Sequence, residues 1–177
     1  MIFYSDEHIN YLEKNNKWIE SIDYLYQKWL KEKNDILLFR KTAINMWYTL
    51  TLDNIDINLD NNQKNNISKK LCEFYTIYQN NFTNDNTCEW LFGYMMEVQP
   101  ILFLNFSFNI EKIENIGKNL IKSSSDKGNL IARILHSDKK LKKELKYNDL
   151  EKIIKEDFDS NNEIDKYFIE ILKNCIN

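Results

Sequence analysis

The sequence is short of the residues that punctuate tight turns, with three glycines and one proline in 177 positions. Hairpins and barrel corners draw on glycine for positive φ and on proline for its fixed φ, so a β-sandwich or barrel is hard to build from this composition. Cysteine is scarce as well. Cys72, Cys88 and Cys175 cannot all pair within one chain and none sits in a CxxC spacing, which suits a reducing compartment better than a disulfide framework. We read all three as small buried apolar side chains. The two histidines, His8 and His136, fall in neither an HExxH nor an ExxH arrangement, so no metal ligand set is visible. Gly93, Gly117 and Gly128 form neither a GxGxxG nor a Walker pattern, which leaves a nucleotide without a phosphate cradle. The expectation is a chain with no cofactor and no metal.

Charge of one sign is also missing. Lys and Arg number 24 against 27 Asp and Glu, a net charge of −3, which gives no general reason to expect a polyanionic partner and disfavours nucleic acid. Over residues 1–60 there are seven Lys and Arg against ten Asp and Glu, too slight an excess to identify a target. No long apolar run exists: the most apolar stretch, Trp90 to Ile110, is broken by Glu97, Gln99, Pro100, Asn105, Ser107 and Asn109. It makes a poor membrane span and a good central core. Met1 to Glu7 shows no basic region leading into an apolar run, so the expected location is cytoplasmic, with no membrane partner.

What the chain does have is aromatic surface to bury. Ten Tyr, ten Phe and four Trp make 14% of the residues, enough for a core that needs no staples at this length. Helical periodicity accounts for most of it. Ser5, followed by Asp6 and Glu7, is a plausible cap for a short helix ending near Asn15. Trp18, Ile22, Leu25 and Trp29 then fall within an arc of about 60° on a helix. Asp35 caps a third segment, Ile36 to about Leu52, which is apolar most of the way round except for a strip through Thr42, Asn45 and Thr49. Arg40 and Lys41 in that segment must reach past the core to water or a carboxylate.

Residues 53–66 read as an exposed polar connection. Helices are expected again through Ile67, Leu71, Phe74, Tyr78 and Phe82, and from Cys88 to Gln99, where Pro100 ends the run. Residues 101–108 alternate in a way that allows a short strand, but with no clear second strand to pair with, irregular or helical structure in the core is favoured. Further helices are expected over Ile110 to Ser124, Asn129 to His136, Asp138 to Tyr147, Asp149 to Phe158 and Glu163 to Asn174, with Ser123 to Gly128 as a turn. About nine helices with short links give an all-α single domain of packed αα-hairpins, like an irregular helical repeat. The aromatic pairs recur at unequal intervals, which rules out a regular repeat array.

Candidate chemistry is thin. Cys88 with His136 would be a nucleophile and base, and Glu89 with Glu97 an acid/base pair, yet nothing local joins either pair and no enzyme is expected. Lys139, Lys142, Lys143 and Lys146 form a basic stripe opposite Leu141 and Leu145, able to grip phosphates but more often just the solvated side of an amphipathic helix, its charge offset by Asp138, Glu144, Asp149 and Glu151. Trp18, Trp29, Trp47 and Trp90 belong to the core by their spacing. Asp53, Asp56, Asp60 and Asp85 lie on expected connections, where binding residues concentrate, and are the candidate partner-binding residues; solvation alone explains them too.

Three pieces of the chain carry a resemblance: Leu25-Tyr26, Leu37-Leu38-Phe39-Arg40 leading to Trp47-Tyr48, and Phe92-Gly93-Tyr94-Met95 followed by Pro100 and Phe103. Together, over residues 20 to 105, they resemble the small helical immunity proteins of bacterial contact-dependent growth inhibition and related polymorphic toxin systems. The resemblance implies a cognate toxin domain as partner and steric occlusion as mechanism, with no binding residue carried over. Two other readings stay open: an irregular helical-repeat adaptor, resting on the amphipathic helices alone, and a nucleic-acid binder using the lysine stripe.

Overall fold

A computed structural model describes residues 1–53, 55–106, 109–136 and 147–176. Among them the chain forms nine α-helices: α1 (Glu7–Lys14), α2 (Trp18–Lys31), α3 (Ile36–Thr51), α4 (Asn61–Asn81), α5 (Asn86–Val98), α6 (Ile110–Asp126), α7 (Leu130–His136), α8 (Tyr147–Asp157) and α9 (Glu163–Ile176). A 3-10 segment, Pro100–Phe106, joins α5 to α6, so the alternation there is helical packing and not a strand. Residues 107 and 108, the lysine stripe at 139–146 and most of the helix expected over 138–147 lie outside the described residues. No described helix is long and apolar enough to cross a membrane.

Caps explain where the helices begin. Asp35 accepts from the amides of Leu37 and Leu38 at 2.9 and 3.0 Å, Asp85 from Cys88 at 2.6 Å, and Asn109 from Lys112 at 2.8 Å. At α1 the cap is Asp6, bonded to the Ile9 amide at 2.8 Å, and not Ser5; a carboxylate at this position is both an acceptor and a charge suited to the positive helix end. The polar run 61–66 is helix as well. Asp60 and Gln63 close a reciprocal capping box that offsets the weak helix preference of the asparagines. Ser123 to Asp126 likewise continue α6, because the buried Ser124 hydroxyl finds the Asn86 carbonyl at 2.7 Å across the helix pair.

α3 runs through the centre, and its strip of Thr42, Asn45 and Thr49 is buried along with the apolar faces beside it. α2 and α4 cover it with a stack of rings, in which Phe39 and Phe74 lie 5.0 Å apart and Trp29 and Phe74 4.6 Å. All four tryptophans are buried, as are Cys72 and Cys88, while Cys175, in the last turn of α9, is half-exposed. α5 and α6 cross with backbone close to backbone. A Cβ on Gly117 would lie 2.6 Å from the Gly93 carbonyl oxygen and 2.7 Å from the Glu97 amide nitrogen, so these two glycines allow backbone-to-backbone contact.

The first residues close the structure against the last. Ile2 donates to the Asp157 carbonyl at 3.0 Å and Tyr4 to the Leu37 carbonyl at 3.1 Å, threading Phe3 between Phe158 and Phe168. Beneath this strap a charged network is buried. Lys41 is fully covered and its ammonium lies 2.7 Å from Glu13 Oε1 and 2.8 Å from Asn162 Oδ1. Asn45 donates to the same Glu13 oxygen at 2.8 Å and to Ser21 at 3.0 Å, so α1, α2, α3 and the entry to α9 share one set of hydrogen bonds.

Candidate functional site

The connection between α3 and α4 is built from its own side chains. The amides of Ile55 and Asp56 both donate to the Leu52 carbonyl, at 3.0 and 3.1 Å, and Asp53 bridges to Ile57 across the turn. Asp53 Oδ1 accepts from the Leu59 amide at 3.0 Å and its Oδ2 pairs with Lys64 at 2.6 Å, which pins the far end of the turn to the first turns of α4. Leu59 is buried below. Chain held this way loses little freedom on binding. The turn presents Ile55, which at 76% exposure is the most exposed large apolar side chain described, with the exposed carboxylate of Asp56 next to it. A groove of about 260 Å³ runs alongside, lined by Trp18, Ile19, Glu20, Ile57 and Leu59 among others.

The four candidate aspartates are therefore not one site. Asp53 holds the turn, Asp60 caps α4 and faces solvent, and Asp56 is exposed on the same turn. Asp85 lies elsewhere: it caps α5 and pairs with the Arg40 guanidinium, which also donates to the Ile2 carbonyl at 3.2 Å. Arg40 precedes the end of α3 by eleven residues, about 16 Å along the axis, so Asp85 is remote from the turn. The sequence does not single out Ile55: it alternates with polar residues just as Ile57 and Leu59 do, and only the folded turn leaves Ile55 exposed while Leu59 is buried.

The other candidate pairs do not converge. Cys88 is fully buried and burial pushes its thiol well above the ordinary range, away from the reactive thiolate, while His136 is exposed at the end of α7. Glu89 is buried and receives the Lys127 ammonium on both oxygens at 2.9 Å. Glu97 sits two turns further along α5, about 12 Å in rise, with its carboxyl raised mainly by burial. Among the described residues no group of three or more His, Cys, Asp and Glu is placed to hold a metal ion. No protein-family model, curated protein or solved structure matches the chain.

Proposed function

We propose that this chain binds another protein through the turn between α3 and α4, and that the partner is a cognate toxin domain which it neutralises by covering the toxin's active site or substrate path. The observation that supports it is the turn itself: an exposed aliphatic tip, Ile55, beside an exposed carboxylate on backbone fixed by Asp53. An apolar anchor on a rigid support is the element from which binding energy at protein interfaces is concentrated. The adjoining groove and the start of α2 extend the surface toward the roughly 800 Å² per partner that a stable complex buries. The toxin identity rests on the resemblance of residues 20 to 105 to helical immunity proteins. Occlusion requires no turnover by this chain.

The test takes the C-terminal domain of a large exported protein encoded beside the gene for this chain. Expressed alone it arrests growth, and co-expression of this chain restores growth and yields a complex. Ile55→Asp with Asp56→Lys weakens that complex at least tenfold while leaving the melting temperature of the free chain within a few degrees. A neighbouring domain that neither binds nor is neutralised removes the toxin reading, and full affinity in the double variant removes the turn as its surface.

A further inference from the structure

Two carboxylates and one ammonium are buried together where α9 meets α1 and α3. Glu13, Lys41, Asn45, Asn162 and Asp165 are each at most 1% exposed. Lys41 spends its contacts on Glu13 and Asn162, and Glu13 Oε1 also accepts from Asn45. Asp165 is served less well. Its Oδ2 accepts from the Asp159 amide at 2.6 Å, and its Oδ1 has no hydrogen-bond partner among the described residues. With every group ionised the cluster holds one uncompensated negative charge out of water, an arrangement that is costly unless a proton neutralises it.

We propose that this cluster is a proton-operated latch: Asp165 takes up a proton as α9 docks, so that the grip of α9 on α1 and α3 tightens as the solution turns mildly acidic. The groups that face Asp165 decide which carboxyl takes the proton. From α3 comes Lys41, from α1 Glu13, and from the link before α9 Asp159, whose carboxylate repels and whose amide attracts. Burial outweighs Lys41 and the amide, and the Asp165 carboxyl is pushed up to about 6. Freed into water with α9 undocked, it returns to the ordinary range near about 3.9. Docking therefore carries a proton between these values, its stabilising contribution complete below about pH 4 and lost as pH rises through about 6. What the latch covers is aromatic: Tyr167 on α9 packs on Trp47 and Tyr48 at 6.1 and 5.3 Å, and its hydroxyl lies 2.6 Å from that of Tyr94. Undocking of α9 bares these three rings.

Hydrogen exchange of the α9 amides, expressed as protection factors, reads the latch in the full chain without any partner. Between pH 6 and 4.5 protection rises by up to about tenfold for each pH unit lowered, after a gain of only about twofold from pH 7.5 to 6, and Asp165→Asn removes that gain. Glu97 and Asp157, whose carboxyls burial also raises, are intact in this variant, so any pH dependence of theirs remains and is separated. Should Asp165→Asn fail to fold, the carboxyl carbon of Asp165 in labelled unmodified protein gives the same answer by NMR, with a titration midpoint near 6. Protection that stays level or falls on acidification, an unchanged profile in a folded Asp165→Asn, or a midpoint at or below about 4 overturns the latch.

Discussion

Lys41 shows what one residue in the wrong-looking place can organise. It sits on a helix that is apolar nearly all round, so the sequence alone requires it to reach water or a carboxylate; the structure supplies the carboxylate, in complete burial. Its partners were illegible for a physical reason. Asn162 is 121 positions away and Glu13 lies on a short helix whose polar residues look solvated, so no local spacing announces either. Removing one member of a buried pair strands the other charge, which costs about 3–5 kcal/mol. Lys41→Met is expected to lower unfolding stability by that amount in urea titrations. Adding Glu13→Gln to Lys41→Met recovers a substantial part of the loss, since a neutral amide carries no stranded charge, and a double variant no better than Lys41→Met alone would show that packing, and not charge, sets the cost.

At the scale of elements, amphipathic periodicity located the helices well wherever one face met the core, as in α2 and α6. It failed where end chemistry decided. The asparagine-rich run after Asp60 has no apolar stripe, yet the Asp60–Gln63 box starts a helix there, and only Ile67 and the residues after it give α4 a buried face. The crossing of α5 and α6 was hidden as well, because glycines 24 residues apart reveal a contact only once both helices are placed. That crossing makes a sharp prediction. In Gly117→Ala the new methyl meets backbone atoms at 2.6 and 2.7 Å, neither of which can rotate away, so α5 and α6 must separate at a cost of about 1–3 kcal/mol or more. Gly128→Ala is the contrasting case: nothing lies near its Cβ, and only the positive φ of 89° opposes the change, for about 1 kcal/mol. A thermal melt that ranks the two in the opposite order would mean that the helix pair adjusts freely.

For the whole molecule, hairpin after hairpin of helices suggests a solenoid, in which each unit touches only its neighbours and the ends fray independently. The closure through Phe3 makes a different object. This ring is 1% exposed, 5.8 Å from Phe168 and 6.5 Å from Phe158, and Phe168 in turn packs on Trp90 at 5.5 Å and Tyr94 at 5.4 Å. Residues at one end of the sequence thus join those at the other through the centre, a connection no reading of separate helices reveals. A rigid, closed body is also what the turn carrying Ile55 needs as a support, since an anchor is only as fixed as the elements beneath it. Truncation of a buried phenylalanine costs about 3–5 kcal/mol. In Phe3→Ala a closed fold spreads that loss over all its helices, so the urea transition moves to lower concentration and stays single, with fluorescence of the buried tryptophans and far-ultraviolet circular dichroism changing together. In an open array the same substitution loosens only the final helices, and the two signals part company, the dichroism falling first while Trp18 and Trp29 of α2 remain buried.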